Sequence, residues 1–324
     1  MKRFSFVLAA VVMIACPTML KGQPTLADAV EEYNKGVVSN NADSLEAAIE
    51  HFEKSIAICE ELGDEGEDRK IETEMLLPNL HYNVAMKLIR EEKLEEAIAK
   101  LEKTTEVANR YNDQSTAEKA LKVIPQLHYQ IGNDKLGNDD MDGAMVEFDK
   151  AIELDSTYAK AYYNRARIYR KNENTEEFQK NIDKTIELAL EQNDTRTLQA
   201  AKALGRDYFL IKANNARTAK NYDEAISLAE TTVSYDEKSA TAHYILASAY
   251  NMEKEYDKAI ASAEEALKYE KDDPARQAKI YYELGIAYAA RSDNANACEA
   301  FKKSAIGPFQ EAAEYQIKQV LKCE

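Results

Sequence analysis

The stretch MDGAMVEFDKAIELDSTYAKAYYNRARIYRKNENTEEF, residues 141–178, decides the fold. Its first part carries Ala144, Phe148 and Ala151, whose steps of four and three residues put them on one helix face. After a turn at Asp155 and Ser156, a second amphipathic segment carries Ala166, twelve residues before Phe178. A small residue at such a position lets two helices approach closely, while a bulkier neighbour fills the gap towards the next pair.

Working outward, the twelve-residue step recurs at Gly36/Ala48, Ala85/Ala97, Gly132/Ala144, Ala166/Phe178, Ala213/Ala225, Ala247/Ala259 and Gly285/Ala297. Four residues beyond each second anchor stand Phe52, Leu101, Phe148, Ile182, Ala229, Ala263 and Phe301. Three further stand Ser55, Thr104, Ala151, Thr185, Thr232, Ala266 and Ser304. One such hairpin cannot cover its own apolar stripe, so stacked neighbours must, which predicts an all-α solenoid.

The pattern resembles the tetratricopeptide repeat (TPR) family. The likeness is plainest in MDGAMVEFDKAIELD (141–155) with AKAYYNRARIYRKNENTEEF (159–178), and returns in ATAHYILASAYNMEKEYDKAIASAEEAL (240–267) and IYYELGIAYAARSDNANACEAFKKSA (280–305). It implies a right-handed alpha-solenoid over residues 23–324, with about seven hairpins near 29–62, 78–111, 125–158, 159–192, 206–239, 240–273 and 278–311 and a cap at 308–324. The chain departs from the family at Phe178, where a small residue is expected, so the fourth hairpin has to splay or repack. It also lacks the usual turn proline at Ser156, leaving the turn chemistry to Asp155 and Ser156.

Successive second anchors are 49, 47, 34, 47, 34 and 38 residues apart, so three junctions carry extra residues. The stretches IETEMLLPNLHYNVA (71–85), TAEKALKVIPQLHYQIG (116–132) and LQAAKALGRDYFLIKA (198–213) align with one another. They are expected to be longer helices, kinked where Pro78 and Pro125 remove a backbone donor.

Residues 1–22 read as a signal peptide, with Lys2 and Arg3 ahead of the apolar run FSFVLAAVVMIA (4–15). Cleavage after Gly22 predicts an exported protein, periplasmic in a Gram-negative cell. The tetrad MIAC (13–16) gives the alternative, an outer-membrane lipoprotein acylated at Cys16, although Met13 and Pro17 are unusual for that motif. Contact with a membrane is expected only in that case. The net charge of −16 disfavours nucleic acid, and most of it is accounted for by solvated outer helix faces. Export would leave Cys59, Cys298 and Cys323 in an oxidising compartment, where Cys298 and Cys323 either pair or remain separate thiols. A straight helix folded back at Gly307 and Pro308 would set Ile317 beside Cys298, roughly 9 Å short of Cys323.

The resemblance places ligand contacts on the first helix of each hairpin. Tyr33, Tyr82, Tyr129, Tyr163, Tyr244 and Tyr282 stand three residues before the small position, and Asn34, Asn83, Gln130 and Asn164 two before it. Tyrosine rings give rigid contact area, and carboxamides both donate to and accept from a peptide backbone. The tyrosines equally suit packing between hairpins. Leu210, Ile211, Ile245 and Glu283 break the two columns. The carboxylate-gripping arrangement of some family members is not met at the corresponding Tyr82, Met86, Gln130, Lys160 and Asn164. Nor is it met at Asn133, Asn164, Tyr129, Asp207 and Ile211, so a chaperone-tail adaptor is not expected.

No catalytic motif, metal-ligand set or cofactor site is apparent. His81, His128 and His243 fall at a normally packed position. The expectation is a non-enzymatic periplasmic protein–protein interaction scaffold that holds an extended peptide segment of another protein in its concave groove. One alternative is a lipid-anchored accessory subunit of a cell-envelope complex, docking through its convex face or cap. Another is a glycan-binding protein.

Overall fold

The computed structural model describes residues 23–323, and no strand occurs among them. Residues 1–22, expected from sequence to be a signal peptide, lie outside the described residues, and Cys16 with them. The packing divides the chain into two compact units, one ending at Leu127 and the other beginning at His128.

The first unit contains α1 (Leu26–Asn41), α2 (Leu45–Leu62), α3 (Glu67–Glu74), α4 (Leu77–Arg90), α5 (Leu94–Arg110) and the start of α6 (Gln114–Gly137). Thr25 and Asp28 form a reciprocal capping box that fixes where α1 begins. Leu45, Ile49 and Phe52 of α2 bury against Leu77, Leu80 and Val84 of α4 and Val107 of α5. The long helix expected over 71–85 is instead two helices, α3 and α4. Pro78 sits in the first turn of α4, where a missing N–H leaves no bond unmade, so it starts a helix rather than kinking one. The other two stretches are long helices. Pro125 lies inside α6, and α10 runs for 24 residues.

The second unit continues from α6 through α7 (Met141–Leu154), α8 (Ala159–Lys171), α9 (Thr175–Glu191), α10 (Thr195–Thr218), α11 (Tyr222–Tyr235), α12 (Ala240–Met252), α13 (Tyr256–Tyr269), α14 (Pro274–Ala290), α15 (Asn294–Ser304) and α16 (Gln310–Tyr315). Consecutive helices pair into hairpins, and α8, α10, α12 and α14 also touch one another in turn. Each of these first helices therefore neighbours the next.

Size complementarity holds the hairpins closed. A Cβ on Gly36, Gly132 or Gly285 would lie 2.7, 2.6 or 2.8 Å from the ring of Phe52, Phe148 or Phe301. Where the small residue is Ala85 or Ala166, the residue at the same offset is the smaller Leu101 or Ile182. The column from Ser55 to Ser304 is fully buried. Its threonines at 104, 185 and 232 satisfy their hydroxyls by donating to carbonyls one turn back, at 2.8, 2.7 and 2.9 Å. Phe178 is accommodated by repacking. It is fully buried, with ring centroids 4.2 Å from Tyr208 and 5.9 Å from Phe209 of α10. In the preceding turn Asp155 accepts from the Thr157 N–H and hydroxyl, at 2.9 and 2.6 Å.

A disulfide joins Cys298 to Cys323, with Cα atoms 5.8 Å apart. The chain does not reach it as a straight helix. After α16 comes a π-helical turn over Gln316–Val320, and Lys322 takes a left-handed backbone with φ 54°. The Cys323 N–H then donates back to the Ile317 carbonyl at 2.9 Å. This reversal removes the shortfall that straight-helix geometry implies. Ala313, Ile317 and Leu321 cover Phe301 of the last hairpin.

Candidate binding site

Most of the tyrosine column is engaged in packing. Tyr33 meets Phe52 edge-on at 5.5 Å and lies under the Arg69 guanidinium at 4.5 Å. Tyr129 contacts Phe148 and Tyr158 at 5.9 and 5.2 Å, and Tyr282 contacts Phe301 and Phe309 at 5.5 and 5.3 Å. Tyr244 lies between Arg217 and Lys279, at 5.5 and 4.3 Å. Tyr82 and Tyr163 are half-buried. These rings are partly covered by their own molecule, as an aromatic stripe between hairpins requires.

The carboxamides divide differently. Asn34, Asn83 and Gln130 are exposed, whereas Asn164 is buried. Asn164 donates to Asn133 Oδ1 at 2.6 Å and accepts from Arg167 Nη1 at 3.0 Å. It orients its neighbours on α6 and α8 rather than standing free. Beyond the fourth hairpin the carboxamide column is broken, first by the exposed Ile211 and then by residues in structural roles. Ile245 is fully buried, and Glu283 accepts from Asn251 Nδ2 at 2.9 Å while burial pushes its carboxyl up.

Tyr129, Tyr163 and Asn164 meet at a cavity of about 470 Å3 bounded by α6, α8 and α10. Asn133, Lys160, Arg167, Asp194, Arg196 and Thr197 complete its polar lining. Asp194 caps α10, and the Thr197 hydroxyl and N–H hold its carboxyl below the usual range. Lys160, Arg167 and Arg196 form no ion pair with any described carboxylate, unlike their neighbours Lys150, Arg165 and Lys171. A cavity with three cations free of ion pairs, two carboxamides and one capped carboxylate is suited to an anionic group.

Arg167 and Arg196 do not stand out in the sequence, because neither falls at the positions from which the repeat usually presents its ligand-gripping cations. Arg167 was legible as the residue one helical turn beyond Asn164. Arg196 comes from the extra turns of α10, ahead of residue 206, where the resemblance starts that hairpin. The inserted residues thus build a wall of the cavity.

Sequence profiles of the tetratricopeptide repeat family match residues 147–177, 212–275 and 253–311. The chain is a tetratricopeptide repeat protein. Among solved structures, it is similar to YrrB, described as a TPR protein with an unusual peptide-binding site. The two share 21% identity over 59% of this chain and 91% of that one, with a TM-score of 0.35. A MamA protein gives 19% over 61% and 97%, with a TM-score of 0.31. The TPR2AB domain of yeast Sti1 in complex with pHSP90 gives 16% over 90% and 93%, with a TM-score of 0.31. No curated protein matches the chain. The tetratricopeptide repeat is a fold of protein–protein interaction scaffolds.

The histidines of this TPR protein are not uniformly packed. His81 is buried with neither ring nitrogen hydrogen-bonded, and burial pushes it down to about 4. His128 instead pairs through Nδ1 with Glu147 at 2.7 Å, and His243 Nε2 lies 2.9 Å from the Glu237 carbonyl. Burial raises the Glu147 carboxyl, but His128 and Lys150 together hold it below the usual range. Among the described residues no group of three or more His, Cys, Asp or Glu is placed to hold a metal ion, and no helix is long and apolar enough to cross a membrane.

Proposed function

We propose that this chain is a non-enzymatic scaffold that holds an extended segment of another protein, anchored through an anionic group in the α6–α8–α10 cavity. The cations Lys160, Arg167 and Arg196, which form no ion pair among the described residues, stand around the Asn133–Asn164 pair and carry this reading. An anion entering there replaces water on three positive groups without breaking an existing ion pair. The exposed Gln130 amide extends the polar surface along α6, and Asn34 and Asn83 offer the same chemistry within the first unit. Ring packing at Tyr33, Tyr129, Tyr244 and Tyr282 favours a protein segment over a glycan, which needs free aromatic faces to stack on.

Export to the periplasm belongs to the same proposal, and the Cys298–Cys323 disulfide supports it, because such bonds persist in oxidising compartments. A photoreactive residue placed at Tyr163, activated in cells and followed by mass spectrometry, tests the binding reading. A discrete protein adduct is expected, and it should vanish when Lys160, Arg167 and Arg196 are all replaced by alanine with helicity unchanged. An adduct indifferent to that triple substitution, or one formed only at the outer helices or the cap, would overturn it. The mature N-terminus read by mass spectrometry tests export: Gln23 as the first residue supports a soluble product, and an acylated Cys16 supports an anchored one.

A further inference from the structure

The α6–α8–α10 cavity has a neighbour. A second cavity of about 180 Å3 is lined by Asp155, Thr157, Tyr158, Lys160, Gln192 and Asp194. Lys160 and Asp194 line both cavities and so form their common boundary. They are close enough for Lys160 to help depress the Asp194 carboxyl, although no ion pair joins them. Arg167 and Arg196 are left on the larger side and Asp155 on the smaller, so charge is separated along the pair of cavities.

The groups on the smaller side can act on a ligand. Asp155 Oδ1 is committed to Thr157, but Oδ2 accepts no hydrogen bond among the described residues. Gln192 is held in place by donating through Nε2 to the Thr157 carbonyl at 2.6 Å, which leaves its side-chain oxygen as a second acceptor. An ionised carboxylate beside an amide oxygen is a receptor for a cationic donor such as an ammonium or guanidinium group.

We infer that the captured segment is dipolar, with an acidic side chain seated at Arg167 and Arg196 and a nearby basic side chain entering the smaller cavity at Asp155. This inference rests on the peptide-scaffold reading and adds the charge pattern of the partner. The pairing also gives register. A segment slid along until its basic group met the arginines would set like charges together, which disfavours that register.

Selection from a display library of short random peptides on the immobilised chain tests it. Enriched sequences should carry Asp or Glu within a few residues of Lys or Arg, in one constant order. For one such peptide, fluorescence anisotropy should then show Arg196→Gln and Asp155→Asn each weakening binding by about three- to tenfold. Asparagine keeps the Oδ1 acceptor that Thr157 uses, so the turn is preserved. The Asp155→Asn loss should disappear when the peptide's basic residue is neutralised, and the Arg196→Gln loss when its acidic residue is. Peptides enriched for acid alone, or an Asp155→Asn effect unchanged by neutralising the basic residue, would overturn the dipolar pattern while leaving the scaffold reading intact. A selection yielding no binder, or binders indifferent to Arg196 and Asp155 alike, would overturn both.

Discussion

Gly132 and Phe148 show how much of this chain a single small residue controls. The missing Cβ is what allows the ring to lie across the helix, and a methyl there would stand 2.6 Å from the ring. Gly132→Ala is therefore expected to cost about 2 kcal/mol by overpacking, despite the higher helix propensity of alanine. Adding Phe148→Leu should recover most of that loss, because it recreates the Ala85 and Leu101 pairing of the second hairpin. Urea unfolding of both single variants and the double variant measures the coupling, and additive losses would refute it. His81 makes a second prediction. With its folded value near 4 against an ordinary 6.5, the unfolded chain binds a proton across that window and the folded chain does not. Stability from this group is thus fully present above the unfolded value and falls away as pH drops from 6.5 towards 4. His81→Leu should flatten that part of the stability–pH curve, removing a dependence on the order of 3 kcal/mol. A curve of unchanged slope would place the acid sensitivity elsewhere. Small-residue spacing made the first of these sites legible in sequence. It could not show that His81 lacks a partner while His128 has one, because that depends on whether a carboxylate such as Glu147 lies across the hairpin.

Elements are set here by their ends as much as by their faces. The tight turns within hairpins place Asp43, Glu92, Asp139, Glu173, Lys220, Lys254 and Ser292 in the left-handed backbone region, where most side chains are strained. Lys220→Gly and Lys254→Gly should each stabilise the chain by about 0.5–1 kcal/mol, the relieved strain exceeding the entropy glycine adds to the unfolded state. Asn193→Gly, at a turn between hairpins with φ 55°, should gain less, since asparagine tolerates that conformation. Thermal unfolding of the three variants decides it, and an equal gain at all three would remove strain as the cause. The terminal cap depends on a different constraint. Of α16 only Ala313 is buried, and the following turn is irregular, so the Cys298–Cys323 bond carries much of its order. Cys323→Ser is expected to destabilise the cap by about 3 kcal/mol. Amide exchange should quicken at Ala313 to Leu321 and stay unchanged in α12 and α13; loss of protection throughout would mean that the bond stabilises more than the cap. Repeat spacing revealed which helices exist, and the long α6 and α10, but not the break before α4. A proline at the start of a helix and one inside it, as at Pro78 and Pro125, look alike in sequence, and packing around them decides which occurs.

At the scale of the whole molecule, the repeat architecture was legible because it is written many times over, whereas the candidate cavity is written once. It draws Asn133 from α6, Lys160 and Arg167 from α8, and Arg196 from the lengthened start of α10, and no periodic rule links those positions. The overall charge runs against this local one. The chain carries 58 acidic and 42 basic residues, so an approaching anionic segment is repelled at long range and attracted only near the arginines. Raising salt from about 10 mM to about 150 mM shortens the screening length from roughly 30 Å to roughly 8 Å, which removes the distant repulsion first. Association of a net-acidic peptide should therefore speed up over that range, while its dissociation also quickens as contact charges are screened. A peptide with balanced acidic and basic residues should show the faster dissociation but little change in association. Stopped-flow anisotropy separates the two rates. Association of the acidic peptide that slows with salt would mean that the field of Lys160, Arg167 and Arg196 reaches past the acidic surface and steers the partner from a distance.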